Sequence, residues 1–134
     1  MSQEDLNVVS DALRALARGG VASAAEFWHP DINWRAMEGA PDDVGEMHGV
    51  GAARRYVQDW YDMFDGFTSE IEQLLDVGGE QVIAVVHNTG RAKRSGISTE
   101  VRFAAHYTIR DGKIARVREY ATRGEALEAA GRAA

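Results

Sequence analysis

The stretch from Val82 to Tyr120, VIAVVHNTGRAKRSGISTEVRFAAHYTIRDGKIARVREY, decides the fold. Apolar and polar residues alternate along it, and the turns Ser95-Gly96 and Asp111-Gly112 cut it into long strands, Gln81 to Lys93, Ile97 to Arg110 and Lys113 to Thr122. Asp-Gly between alternating segments is the clearest hairpin signal in the chain. Just upstream, Phe67 to Val77 fits a further strand that ends on Gly78-Gly79, and downstream Glu125 to Ala130 reads as a short terminal helix.

Upstream of the strands the period changes. Leu6, Val9, Leu13 and Leu16 recur at helical spacing before the stop Gly19-Gly20, and Ser23 to Trp28 reads as a second short helix halted at His29-Pro30. Asp31 to Arg35 alternates as a strand does, which puts Ile32 and Trp34 on one face. Met37 to His48, with a proline, two glycines and several acids, reads as a loop over a pocket mouth, a candidate lid. Val50, Ala53, Val57, Trp60 and Phe64 then step by three and four, the strongest helix in the chain. Three N-terminal helices over one face of a curved antiparallel sheet with a mixed edge make an α+β fold. Between the layers such a fold leaves a blind cone suited to a small molecule.

Composition limits what that cone can serve. The 134 residues suit one domain, 1–134, with a core large enough to fold without staples. There is no cysteine, so disulfides, thiolate nucleophiles and cysteine-based zinc sites are excluded. The first residues, Met1-Ser2-Gln3-Glu4-Asp5, lack the order of a secretion signal, so a cytoplasmic address is expected. A net charge of −6 opposes nucleic acid and anionic membrane as partners, and no apolar run approaches the ~18 residues that span a bilayer. His29, His48, His87 and His106 show no close pair on one helix face, so no metal is expected. Gly49-Val50-Gly51 opens a helix without the βαβ unit of a nucleotide loop, and no Gly-x-Ser-x-Gly elbow occurs.

Strand parity selects the candidate site. On one strand Phe103, Ala105, Tyr107 and Ile109 share a row, and on the last strand Ala115, Val117, Glu119 and Ala121 do. The alternate row, Arg102, Ala104, His106, Thr108 and Arg110, is polar enough to face solvent or a partner subunit, and Arg116 and Arg118 should lie on that outer side. Glu119 is thereby placed on the helix-covered side among apolar neighbours, where desolvation raises a carboxyl pKa and suits it to general acid or base work. In this reading Tyr107 donates a hydrogen bond to a substrate oxygen, while Trp34, Trp60, Phe64 and Phe103 hold an apolar ring system. His87 alternates with Asn88, so one of the two faces the cone, and His87 there would be a third polar candidate. Structural roles compete: the aromatics can be plain core, Tyr107 can anchor its hydroxyl to backbone, and Glu119 can pair with Arg35 or Arg91.

Three segments carry a resemblance: Phe27-Trp28-His29-Pro30-Asp31-Ile32-Asn33-Trp34, Gly49-Val50-Gly51-Ala52-Ala53-Arg54-Arg55-Tyr56, and Arg110-Asp111-Gly112-Lys113-Ile114 followed by Glu119-Tyr120. In order and spacing the chain resembles the SnoaL-like branch of the nuclear-transport-factor-2-like (NTF2-like) superfamily, the cone-shaped α+β fold that also holds ketosteroid isomerases and limonene-epoxide hydrolases. The resemblance implies a dimer formed through the sheet and a small hydrophobic ligand, with no cofactor. It does not transfer an activity, because one scaffold hosts many chemistries. The aspartate of SnoaL-type cyclases and the donor aspartate of the isomerases fall near Ala105, which cannot donate a proton. The isomerase base falls at Trp34-Arg35-Ala36, with no acid nearer than Glu38. The aspartate, arginine, aspartate set of the epoxide hydrolases is not found, whereas Glu119 falls where many SnoaL-like proteins carry an acid. Two function classes follow: a domain that binds a small apolar ligand, or a cofactor-independent isomerase, cyclase or dehydratase acting on a hydrophobic carbonyl compound.

Overall fold

The computed structural model describes residues 3–37 and 45–131. In chain order the elements are α1 (Gln3–Gly19), α2 (Val21–Ala25), β1 (Trp28–Arg35), β2 (Glu46–His48), α3 (Gly49–Asp62), β3 (Phe64–Gly78), β4 (Gln81–Ala92), β5 (Ser98–Arg110), β6 (Lys113–Tyr120) and α4 (Arg123–Ala129). The strands form one six-stranded sheet in the order β2-β1-β6-β5-β4-β3. Only the β1–β6 pairing is parallel; β2–β1, β6–β5, β5–β4 and β4–β3 are antiparallel. This is the expected α+β architecture with a mixed edge. Among the described residues no helix is long and apolar enough to cross a membrane.

The hairpins form where turn chemistry dictates. Asp111 and Gly112 both take positive φ, 54° and 73°, the conformation that a two-residue turn needs if its twist is to match the flanking strands. Register then follows without slippage along β4 and β5, with Ala84 opposite Ala105 and Asn88 opposite Val101. On β6, Glu119 lies opposite Ala105 and Val117 opposite Tyr107. The main core, including Val9, Ile32, Val82, Val86, Ile114 and Val117, fills the space between this inner face and α1, α2 and α3.

Four expectations change. The first strand begins at Trp28, so Trp28 joins Ile32 and Trp34 on the buried face and His29-Pro30 lies within the strand. The expected loop from Met37 to His48 closes with a three-residue strand, β2, paired to β1; its residues 38–44 lie outside the described residues, and with them the lid. The third helix stops at Asp62, and Phe64 opens β3 instead of ending α3.

The fourth change concerns the outer face. Ala104 is fully buried because α4 docks Ala126 against Ala104, Ile83 and Val77 on the side of the sheet opposite the cone, and His106 on the same row is 6 % exposed. Of the row expected to meet solvent or a partner, Arg102 and Arg110 at its two ends are exposed. His106 hydrogen-bonds Gln81 through Nε2 at 2.7 Å. Burial, followed by the positive charges of Arg116 and Arg118, lowers its pKa below the ordinary histidine value. The unfolded chain therefore binds this proton more readily than the fold does. The stabilisation from a neutral His106 is complete above an unfolded pKa of ~6.5 and is lost as pH falls through the lower folded value. His106→Gln, which keeps a partner for Gln81, is expected to flatten the fall in melting temperature between pH 7 and pH 5; equal slopes for variant and parent would refute this.

Candidate functional site

The inner face of α3 is built by residues three and four apart. Ala53, Tyr56, Val57, Trp60 and Tyr61 point toward the sheet, so one helix delivers three aromatic side chains to the cone. From the opposite wall, alternation along the strands supplies Trp34 of β1, Phe67 and Ser69 of β3, Val86 and Asn88 of β4, Val101, Phe103 and Tyr107 of β5, and Glu119 of β6. Leu13 and Leu16 of α1 complete a cavity of about 300 Å³.

Glu119 sits in this wall with both carboxylate oxygens engaged. Trp34 donates from Nε1 to Oε2 at 3.1 Å, and the Tyr56 hydroxyl donates to Oε1 at 3.1 Å. Two donors on a partly buried carboxylate fix its orientation in the wall. Trp34 is itself locked, edge-on to Trp28 with centroids 5.4 Å apart and tilted against Tyr56 at 6.1 Å. The expected pairing of Glu119 with Arg91 is not formed: Arg91 lies at the far end of β4, opposite Asp65 and Ser98.

Tyr107 faces the same cavity. Burial, and secondarily the charge of Glu119, pushes its pKa well above the ordinary tyrosine value, so it stays an O–H donor throughout the physiological range. Its hydroxyl makes no hydrogen bond to a described residue, neither to backbone nor to side chain. The phenol of Tyr61, also in the wall, is raised by burial as well.

Of the residues selected from sequence, the structure brings together Glu119, Tyr107, Trp34, Trp60 and Phe103. It removes four. His87 lies on the outer face, with Nε2 2.9 Å from Glu100 Oε1 but off the hydrogen-bond axis, and Asn88 takes the inward position. Phe64 stacks on Trp60 at 5.7 Å, behind the ring that lines the cavity. Ala105, 1 % exposed, and Val117, fully buried, form core beneath the wall. The sequence reading missed Tyr56, although it falls three residues after Ala53 and four before Trp60, the spacing that marks the inner face. It also missed Tyr61 and Phe67, which meet edge to face at 4.7 Å.

A larger polar cleft of about 490 Å³, bordered by Arg35, Glu46, Arg118 and Glu125, adjoins the cone and shares Glu119 and Met37 with it. Its charges satisfy one another in part, Arg118 lying 3.4 Å from Glu46, so the mainly apolar cone is the better candidate for a ligand. Among the described residues no three His, Cys, Asp or Glu side chains gather as metal ligands.

Comparison with known proteins agrees with this architecture. An NTF2-like protein from Burkholderia thailandensis superposes with a TM-score of 0.76 at 28 % identity, covering 86 % of this chain and 88 % of that one. A protein from Jannaschia, provisionally named a SnoaL-like polyketide cyclase, gives 0.74 at 17 % identity over 89 % and 88 % of the two chains. TerC, crystallised with polyporic acid, gives 0.75 at 16 % identity over 87 % and 90 %. No curated protein matches the chain. The profile of the SnoaL-like domain matches residues 9–117, and the chain therefore belongs to the SnoaL-like family, with an NTF2-like fold.

Proposed function

We propose that the chain binds a small, apolar, ring-bearing molecule in the cone, with Glu119 as a polar contact. One observation carries this reading: a cavity of about 300 Å³ walled, among the described residues, by seven aromatic side chains and one carboxylate that two donors hold in place. An apolar pocket with a few convergent polar groups is the usual build of a small-molecule site. A cavity of ~150 Å³ takes one benzene ring, so this one suits about two rings. The crystallisation of TerC with polyporic acid and the provisional naming of the Jannaschia protein as a cyclase agree with an organic ligand on this fold.

The binding test uses 4-acetylbiphenyl, a two-ring ketone, followed by quenching of Trp34 and Trp60 fluorescence. Saturable quenching is expected. Val101→Trp, which fills the cavity from β5, is expected to weaken it more than tenfold with the circular dichroism unchanged. Undiminished binding by that variant would place the probe elsewhere and end this reading.

A second reading, catalysis by proton transfer, is favoured by Tyr107, whose hydroxyl lacks a partner among the described residues in the same cavity as Glu119. The carboxylate would take a proton from the carbon next to a ligand carbonyl while Tyr107 donates a hydrogen bond to the developing enolate oxygen; the proton would then return to a different carbon. The sequence supplies one acid where the related cyclases and isomerases carry another at Ala105. Alanine there, level with Glu119, leaves Glu119 without a carboxylate neighbour at that position.

A further inference from the structure

We infer that the cone recognises a two-ended ligand, with Asn88 and Ser69 forming a second polar pole opposite Glu119 and Tyr107; the inference deepens the binding reading above and rests on it. Among the described residues three buried side-chain atoms lack a hydrogen-bond partner, Asn33 Oδ1, His87 Nε2 and Asn88 Oδ1, and of these three residues Asn88 lines the cavity. Its oxygen Oδ1 is the end of the amide that is buried without a partner. Ser69, its neighbour across the β3–β4 pair, also lines the cavity and places a hydroxyl beside it. An amide buried without a partner destabilises a fold, so such a group is informative about what the site is built to meet.

Register gives the separation of the poles. Glu119 is level with Ala105, and Ala105 with Ala84, which lies four residues before Asn88 on β4. Four residues along a strand are ~13 Å and two strand spacings are ~10 Å, so the two backbone positions stand roughly 16 Å apart. Both side chains line the same cavity, from its two ends. Val86 and Phe103, opposite each other on β4 and β5, form the apolar floor between the poles. The ligand class is therefore a flat, roughly two-ring molecule with a hydrogen-bonding oxygen at each end. Asn88 can accept from a hydroxyl or donate to a carbonyl; Tyr107 can donate to a carbonyl, and Glu119 can accept from a hydroxyl.

The test compares 4-acetylbiphenyl with 4-acetyl-4′-hydroxybiphenyl on the wild-type chain and on Asn88→Leu, by fluorescence titration and thermal melting. In the wild type the second oxygen is expected to tighten binding about tenfold, the effect of one satisfied hydrogen bond. In Asn88→Leu that gain is expected to vanish, while the melting temperature without probe rises by a few degrees because an unpaired amide has gone. Equal affinity of the two probes for the wild type overturns the second pole and leaves the cone as a binding site. Asn88→Leu that binds both probes as the wild type does has the same consequence. Binding of neither probe by the wild type overturns the binding reading together with this inference. The comparison of probes on the wild type stands even if the variant fails to fold.

Discussion

Trp34→Ala is expected to lower the free energy of unfolding by about 3–5 kcal/mol, more than any other single change near the cone. The side chain is 9 % exposed and packs against Trp28 and Tyr56. Its backbone joins both neighbours of β1, facing Met47 on β2 and Val117 on β6. Truncation opens a hole among rings that are themselves held in place, so little collapse can fill it. It also removes the Nε1 donor from Glu119. Trp34→Phe separates the two effects: it retains most of the packing and loses a hydrogen bond to a charged group, a cost of about 1.5–3 kcal/mol. Urea unfolding of the two variants should therefore rank alanine well below phenylalanine. A loss under ~1 kcal/mol for alanine would mean that the indole is not the keystone of this wall, and equal losses would assign the whole effect to the hydrogen bond.

The sequence carried the part of this arrangement that depends on strict periods. Alternation along β5 and β6 placed Phe103, Tyr107 and Glu119 on the inner face, and the Asp111-Gly112 turn fixed their register. What it did not carry depends on tertiary contact. Ala104 and His106 look like part of a polar outer row, yet both are buried, Ala104 beneath the docked α4 and His106 beside Gln81. β2 is three residues long and pairs with a strand more than ten residues away, so no local period announces it. Phe64 continues the helical spacing of Val57 and Trp60, yet the chain leaves the helix at Met63 and the ring still lands on Trp60. For His87 and Asn88 composition offers no guide, since both are polar; parity relative to Val86 decides, and the buried floor at Val86 settles it in favour of Asn88.

Under the proton-transfer reading, Glu119→Gln is expected to cut catalysis by about 10²–10⁴-fold while leaving the fold in place. The amide is nearly isosteric and can satisfy both of these neighbours: its oxygen accepts from Trp34 Nε1, which can only donate, and its nitrogen donates to the Tyr56 oxygen, which can also accept. Glu119→Leu, by contrast, removes the acceptor of Trp34 Nε1, a cost of ~1–3 kcal/mol for a stranded donor, so it confuses stability with function. The reaction can be followed without knowing the natural substrate, by NMR detection of deuterium entering the acetyl methyl group of 4-acetylbiphenyl. Acceleration over buffer by the wild type, lost in Glu119→Gln but with the probe still bound, would make Glu119 the base. Tyr107→Phe should then slow the exchange by a smaller factor, because it removes the hydrogen bond to the enolate oxygen and keeps the base. Exchange as fast in Glu119→Gln as in the wild type would exclude Glu119 as the proton acceptor. No acceleration by the wild type would leave Glu119 as an anchor in a binding cone, a role in which the glutamine variant weakens a hydroxyl-bearing probe and spares one that lacks the hydroxyl.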